Sequence, residues 1–209
     1  MSVITHEQSL ENFHEQLTYV LANYHNHGKS VNNYQNIVIG GLGGSGIGGR
    51  IARLAFMQQM PVPVEVFSEY SLPAYANEKT LVILCSYSGN TEETLSMFDQ
   101  AKSRGCEMIC VAASGQLKAF QPRMTLGFGL GTLVMILGEL MGQDMTSTVK
   151  EVEEMFKSPA AIVEQAKLMY NVFKPTIANK FVVVCDLAYE GGICFGITRI
   201  QSQHDRKLL

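Results

Sequence analysis

Two short stretches far apart in this chain have the make-up of anion-binding loops, and together they leave few folds open to it. Gly40 to Gly49 reads Gly-Gly-Leu-Gly-Gly-Ser-Gly-Ile-Gly-Gly, and Ser86 to Thr91 reads Ser-Tyr-Ser-Gly-Asn-Thr. Each follows an apolar, β-branched run and precedes a helical pattern, so each is expected at the carboxyl end of a strand where a helix begins. Helix starts carry backbone N–H groups without intrahelical partners and the positive end of the helix dipole, which suits phosphate. An α/β sheet binds its ligands at that edge.

The texture of the chain agrees. Leu10, Phe13, Leu17, Val20, Leu21 and Tyr24 recur at three- and four-residue steps, which predicts an amphipathic first helix closed by His27 and Gly28. Short apolar runs then follow at Asn36 to Ile39, Val62 to Phe67, Thr80 to Cys85 and Glu107 to Ala112, with helical stretches at Ile47 to Met57 and Thr91 to Arg104 between them. This alternation predicts an α/β fold, a parallel sheet with helices on both faces. A long apolar helix is expected over Met124 to Met141, and helices over Thr146 to Lys157 and Pro159 to Phe173, the last ended by Pro175. Phe181 to Cys185 reads as one more buried strand, and the glycines after it faintly echo Ile37 to Gly41. The expected division is a first domain at 1–145, then linker helices and an incomplete second α/β half at 146–209.

Composition excludes several classes of function. The 209 residues are 46% hydrophobic and 17% charged, a core-rich globular balance. A net charge of −3 with no basic stripe argues against a nucleic-acid partner. The five cysteines, at 85, 106, 110, 185 and 194, never form a Cys-x-x-Cys pair and read as reduced core thiols, hence a cytoplasmic location. The N-terminus lacks a basic region followed by an apolar stretch, so no signal peptide is expected. Met124 to Met141 carries Glu139 and glycines at 127, 129, 131 and 138, with Gly142 just beyond, and its charge-free part is shorter than the roughly 20 residues a membrane span needs. A helix packed closely on a neighbour or on a second subunit fits better, so a homodimer without membrane contact is expected. His25-x-His27 has no cysteine or acidic cluster nearby, and no metal site is expected.

Gly41-x-Gly43-x-x-Gly46 satisfies the dinucleotide fingerprint, with Glu65 or Glu69 available as the ribose-binding acid. That reading leaves the second loop unexplained. A Walker loop is excluded because no Lys follows the glycines, and the Gly-x-Ser-x-Gly elbow fails at Ile47. Ser86, Ser88 and Thr91 place three hydroxyls around the turn at Gly89 and Asn90, with Thr91 at the cap of the next helix. Alone they could be turn and cap residues; beside the glycine loop they read as donors to a dianionic phosphate.

Gly-Leu-Gly-Gly-Ser-Gly-Ile at Gly41 to Ile47, Ser-Tyr-Ser-Gly-Asn-Thr-Glu-Glu-Thr at Ser86 to Thr94 and Gln-Pro-Arg at Gln121 to Arg123 resemble the SIS (sugar isomerase) domain of the bifunctional phosphoglucose/phosphomannose isomerase family. The resemblance covers about the first two thirds of the chain and implies a flavodoxin-like fold, a dimer, and sugar-phosphate binding by Gly44, Ser45, Ser86, Ser88 and Thr91. It places Arg123 over the reacting carbons, where a guanidinium stabilises an enediolate only as its charge develops. The implied reaction converts glucose 6-phosphate or mannose 6-phosphate to fructose 6-phosphate without metal or organic cofactor.

Two departures accompany the resemblance. Ser114-Gly115-Gln116-Leu117 runs into Gln121 after only Lys118, Ala119 and Phe120, where the family carries a further strand. The family's base Glu, ring-opening His and Lys lie in a second SIS domain, and nothing after Cys194 matches them. His204 lacks the right neighbours to take that histidine's role, and Glu139 and Glu190 are the remaining internal carboxylates. A non-catalytic sugar-phosphate sensor is therefore the alternative to an isomerase, and a Rossmann oxidoreductase a third reading.

Overall fold

The computed structural model describes residues 6–113, 117, 122–158 and 164. The apolar runs form β1 (Asn36–Gly40), β2 (Val64–Phe67), β3 (Thr80–Cys85) and β4 (Glu107–Val111), all parallel, in the order β2-β1-β3-β4. The register sets Gly40 beside both Phe67 and Leu84, and Cys85 beside Val111, so the strands end at one level.

β1 and β3 are central and buried on both faces, which is why they read as continuous apolar runs. The pleat sends Ile37, Ile39, Leu81 and Ile83 to one face, where α2 (Phe13–Asn23), α3 (Gly44–Phe56) and α5 (Leu126–Leu140) cover them. Val38, Val82 and Leu84 go to the other face, against Met97 and Ala101 of α4 (Glu92–Ser103). Helices on both faces of a parallel sheet are thus observed.

Several boundaries differ from the sequence reading. The first helix is two: α1 (His6–Glu11) and α2 are separated at Asn12, whose carbonyl accepts the Glu15 N–H at a three-residue step and breaks the ladder. β2 starts at Val64 and not Val62, because Pro63 has no N–H to give. The long helix opens with a 3₁₀ turn, Pro122–Thr125, ahead of α5.

α5 is buried as expected, and the partner helices are its own chain's. A Cβ on Gly127 would lie 2.9 Å from the Phe13 ring, and one on Gly131 2.9 Å from Leu17 Cδ2. Gln16 on α2 donates to the Met124 carbonyl at 2.7 Å and accepts the Phe128 N–H at 3.2 Å, satisfying the start of α5 from inside the core. Gly127 and Gly131 are therefore taken up within the chain, whereas a Cβ on Gly129 would meet nothing within 4 Å among the described residues. α6 (Thr146–Lys157) packs on α2 as well, through Phe13 against Phe156 and Thr18 donating to Glu153. The expected helix Pro159 to Phe173 and strand Phe181 to Cys185 lie outside the described residues. No helix among the described residues is long and apolar enough to cross a membrane. Cys85 and Cys106 are buried free thiols, whereas Cys110, on the outer strand β4, is exposed and so not the core thiol expected.

Candidate functional site

β1 has its successor β2 on one side and β3 on the other, so the crossovers reverse direction between β1 and β3. A crevice opens at such a switch point, outside the carboxyl ends of the two strands. The glycine loop leaves β1 there and the serine loop leaves β3. The glycine loop lies close to the end of β3: a Cβ on Gly41 would stand 3.0 Å from the Cys85 carbonyl oxygen.

In the glycine loop, Gly41 donates its N–H to the Phe67 carbonyl at 3.0 Å, and its own carbonyl accepts the Ser68 hydroxyl at 2.7 Å. Gly43 occupies the cap position of α3 at φ 57, ψ −124, a conformation that side chains strongly disfavour. α3 begins at Gly44, three residues earlier than the apolar period suggested, because the helix starts wherever the glycines allow close approach. A Cβ on Gly46 would lie 2.5 Å from the Gly41 carbonyl oxygen and 2.6 Å from Ser68 Oγ. No side chain caps this helix. Ser45 folds its N–H back to the Leu42 carbonyl at 3.2 Å, and Gly44 and Ser45 are half-buried in the first turn. A helix start left uncapped keeps backbone donors for a ligand.

In the serine loop, buried Ser86 puts its Oγ 2.8 Å from Thr91 Oγ1 and 3.5 Å from Ser88 Oγ, and accepts the Gly89 N–H at 3.2 Å. Thr91 has the extended backbone of a helix cap (φ −71, ψ 125), yet its hydroxyl makes no bond to α4. The plain capping role is thus not what Thr91 performs. Ser88 does support its turn, accepting the Asn90 N–H at 3.2 Å. Two oxygen–oxygen contacts consume at most two of the three hydroxyl protons, so at least one is available to an acceptor placed in the crevice.

Neither loop contains Lys or Arg. The first turn of α4 carries Glu92 and Glu93 instead, whose charge suits the helix start but would repel an anion brought close to them. Both face Tyr70: its hydroxyl lies 3.5 Å from Glu92 Oε2, and Glu93, burial and Glu92 in that order raise its phenol pKa. An anion in the crevice would therefore be held by N–H and O–H donors.

Arg123 lies in the 3₁₀ turn Pro122–Thr125, which packs against α3; its side chain lies outside the described residues. Glu139 is at the opposite end of the sheet. It accepts the Tyr24 hydroxyl at 2.6 Å and the N–H groups of Gly28 at 2.8 Å and His27 at 3.2 Å, tying α5 to the connection that leads into β1. Burial opposes its ionisation, but these donors outweigh burial and hold its pKa below the usual carboxylate value. His27 is likewise structural, donating through Nε2 to the Ile136 carbonyl at 3.3 Å while Nδ1 accepts the Lys29 N–H at 3.0 Å. Among the described residues no group of three metal-binding side chains occurs. Glu190 and His204 lie outside them. Ser68 escaped the sequence reading: it belongs to neither motif, and its one signal was a hydroxyl directly after the second strand.

The strand order separates the two phosphate-binding folds that fit the glycines. In a Rossmann half, β1 would lie between β2 and β4; here it lies between β2 and β3, the flavodoxin-like order. Residues 31–117 match the SIS domain. Curated proteins similar to it include bifunctional phosphoglucose/phosphomannose isomerases. That of Caldicellulosiruptor bescii is 34% identical over 168 residues, 71% of this chain and 50% of that protein. That of Aquifex aeolicus is 38% identical over 126 residues, 53% of this chain and 39% of that protein. The chain thus spans half or less of the length of these relatives. Among solved structures, a sugar binding protein from Salmonella typhimurium shows the same fold, with a TM-score of 0.60 at 17% identity over 82% of this chain and 62% of the other.

Proposed function

We propose that the crevice between β1 and β3 binds the phosphate of a 6-phosphosugar, and that the chemistry is aldose–ketose isomerisation of glucose 6-phosphate or mannose 6-phosphate to fructose 6-phosphate through an enediolate. The observation that carries this reading is the hydroxyl set of Ser86, Ser88 and Thr91. These groups bond to one another in place of capping α4, at the end of the strand beside the one from which the uncapped α3 follows. The names of the relatives support the substrate class. Gly44 and Ser45 would supply donors from the α3 side, and Arg123, on the turn against α3, would stabilise the enediolate oxygen. The step moves one proton from C2 to C1 and one from O2 to O1 by way of the enediolate, and calls for neither metal nor organic cofactor.

A second reading, binding without turnover, is favoured by one observation. Glu139, the internal carboxylate of the described residues considered as a base, is committed to structural bonds at the far end of the sheet. Without a positioned base, isomerisation loses a factor of about 10² to 10⁴.

Calorimetry with fructose 6-phosphate on the wild type and on Ser88→Ala tests the site. A hydrogen bond to a charged group is worth about 1.5 to 3 kcal/mol, so the variant should bind roughly ten- to a hundredfold more weakly. Unchanged affinity in a folded Ser88→Ala variant overturns the assignment. A coupled assay with glucose 6-phosphate on the same wild-type sample separates the two readings: turnover typical of the relatives establishes the isomerase, and binding without turnover the sensor.

A further inference from the structure

Strand β2 contributes no residue to either loop motif, yet it ends against the glycine loop and holds both polar groups of Gly41. Phe67 accepts the Gly41 N–H at 3.0 Å, and Ser68 donates to the Gly41 carbonyl at 2.7 Å. Ser68 Oγ also sits where a side chain at Gly46 would have to go, 2.6 Å from that Cβ position, so the hydroxyl is wedged between the loop and the first turn of α3.

This anchor has a directional consequence. In an extended strand the N–H and C=O of one residue point to the same neighbour, and those of the next residue point the other way. The C=O and N–H of a trans peptide are antiparallel. With the Gly41 carbonyl fixed toward β2, the N–H of Leu42, on the far side of the same peptide plane, is turned toward β3 and its hydroxyls. No hydrogen bond engages the Leu42 N–H among the described residues, and its side chain is 44% exposed, clear of the core. A glycine on one side of this peptide leaves it free to rotate when the anchor is lost. Rotation would bring the carbonyl oxygen, which repels an anion, to the side where the N–H had been.

We propose that Ser68 is a positioning residue of the anion site: by anchoring the Gly41 carbonyl it aims the Leu42 N–H into the crevice as a phosphate donor. The inference rests on the phosphate-binding reading given above and adds to it a donor and the residue that orients it.

The test follows the Leu42 backbone amide by ¹⁵N NMR during titration with fructose 6-phosphate, in wild type, Ser68→Ala and Ser68→Thr. The wild type should show a downfield shift of the Leu42 amide proton on binding. Ser68→Ala should lose that shift and bind roughly three- to tenfold more weakly, the range expected for one neutral hydrogen bond. Ser68→Thr, which keeps the hydroxyl, should restore both, and a rescue of this kind is not explained by loss of packing. Wild-type affinity in Ser68→Ala, or weakened affinity with the Leu42 shift intact, overturns the role of Ser68 while leaving the site standing. Failure of the wild type to bind fructose 6-phosphate removes the site and this inference with it.

Discussion

Gly46 shows how tightly single residues define the crevice. Its Cα faces the Gly41 carbonyl oxygen and Ser68 Oγ so closely that a methyl group would fall 2.5 Å from one and 2.6 Å from the other. The first of these atoms is backbone and cannot rotate out of the way. Gly46→Ala is expected to lower stability by about 1 to 3 kcal/mol, the usual cost of forced overpacking, and to weaken fructose 6-phosphate binding by displacing the loop. Urea unfolding and calorimetry on the same sample check both, and wild-type values in each would refute the packing constraint. The glycine here was visible in the Gly-x-Gly-x-x-Gly spacing, but the atom it makes room for was not. Ser68 directly follows another strand, 22 residues along, and no local pattern relates the two.

At the scale of elements, α5 decides how the sheet is covered. Its apolar surface and glycines announce close packing, and the structure assigns that packing to α2 and α3. Gly131→Val should destabilise the chain by about 1 to 3 kcal/mol, because Leu17 already stands 2.9 Å from the Cβ position. It should do so without altering the sedimentation coefficient of the folded protein. A change in oligomeric state with unchanged unfolding free energy would return the glycine stripe to a subunit interface. The strands were legible nearly to the residue, Thr80 to Cys85 without error, since β-branched runs buried on both faces have no competing helical period. The starts of α2 and α3 were not, because the apolar period runs on through Asn12, where a local bond from Glu15 interrupts the helix, and is blank over the glycines that open α3.

Across the whole molecule, the end of the sheet away from the crevice is held by Glu139, which joins α5 to the segment between α2 and β1. Burial raises its pKa, but the Tyr24 hydroxyl and the Gly28 and His27 N–H groups more than compensate, so the folded value lies below the ordinary 4.5. A carboxyl depressed on folding adds stability above its unfolded pKa, and that contribution is lost as pH falls through the folded value. Glu139→Gln should therefore be less stable than wild type at pH 7, with the difference shrinking on acidification below about pH 4.5. Denaturant titrations at pH 7, 5 and 3.5 measure this, and a difference independent of pH would show that the carboxylate charge contributes nothing.

By itself the sequence determined the strand-and-helix alternation, the glycine and serine loops and their place at strand ends, because each is written in a local period or a contiguous motif. The kinship with SIS-domain isomerases followed from the same contiguous residues. Tertiary structure alone decided which strand lies beside β1, and thereby that the two loops share one crevice in a flavodoxin-like order and not a Rossmann one. It alone turned the hydroxyl of the cap residue Thr91 to Ser86, gave Ser68 its hold on Gly41, and set Glu139 at the far end of the sheet. Each of these depends on backbone and side chains brought together by packing of the sheet and its helices, and such adjacency leaves no trace in the spacing of residues along the chain.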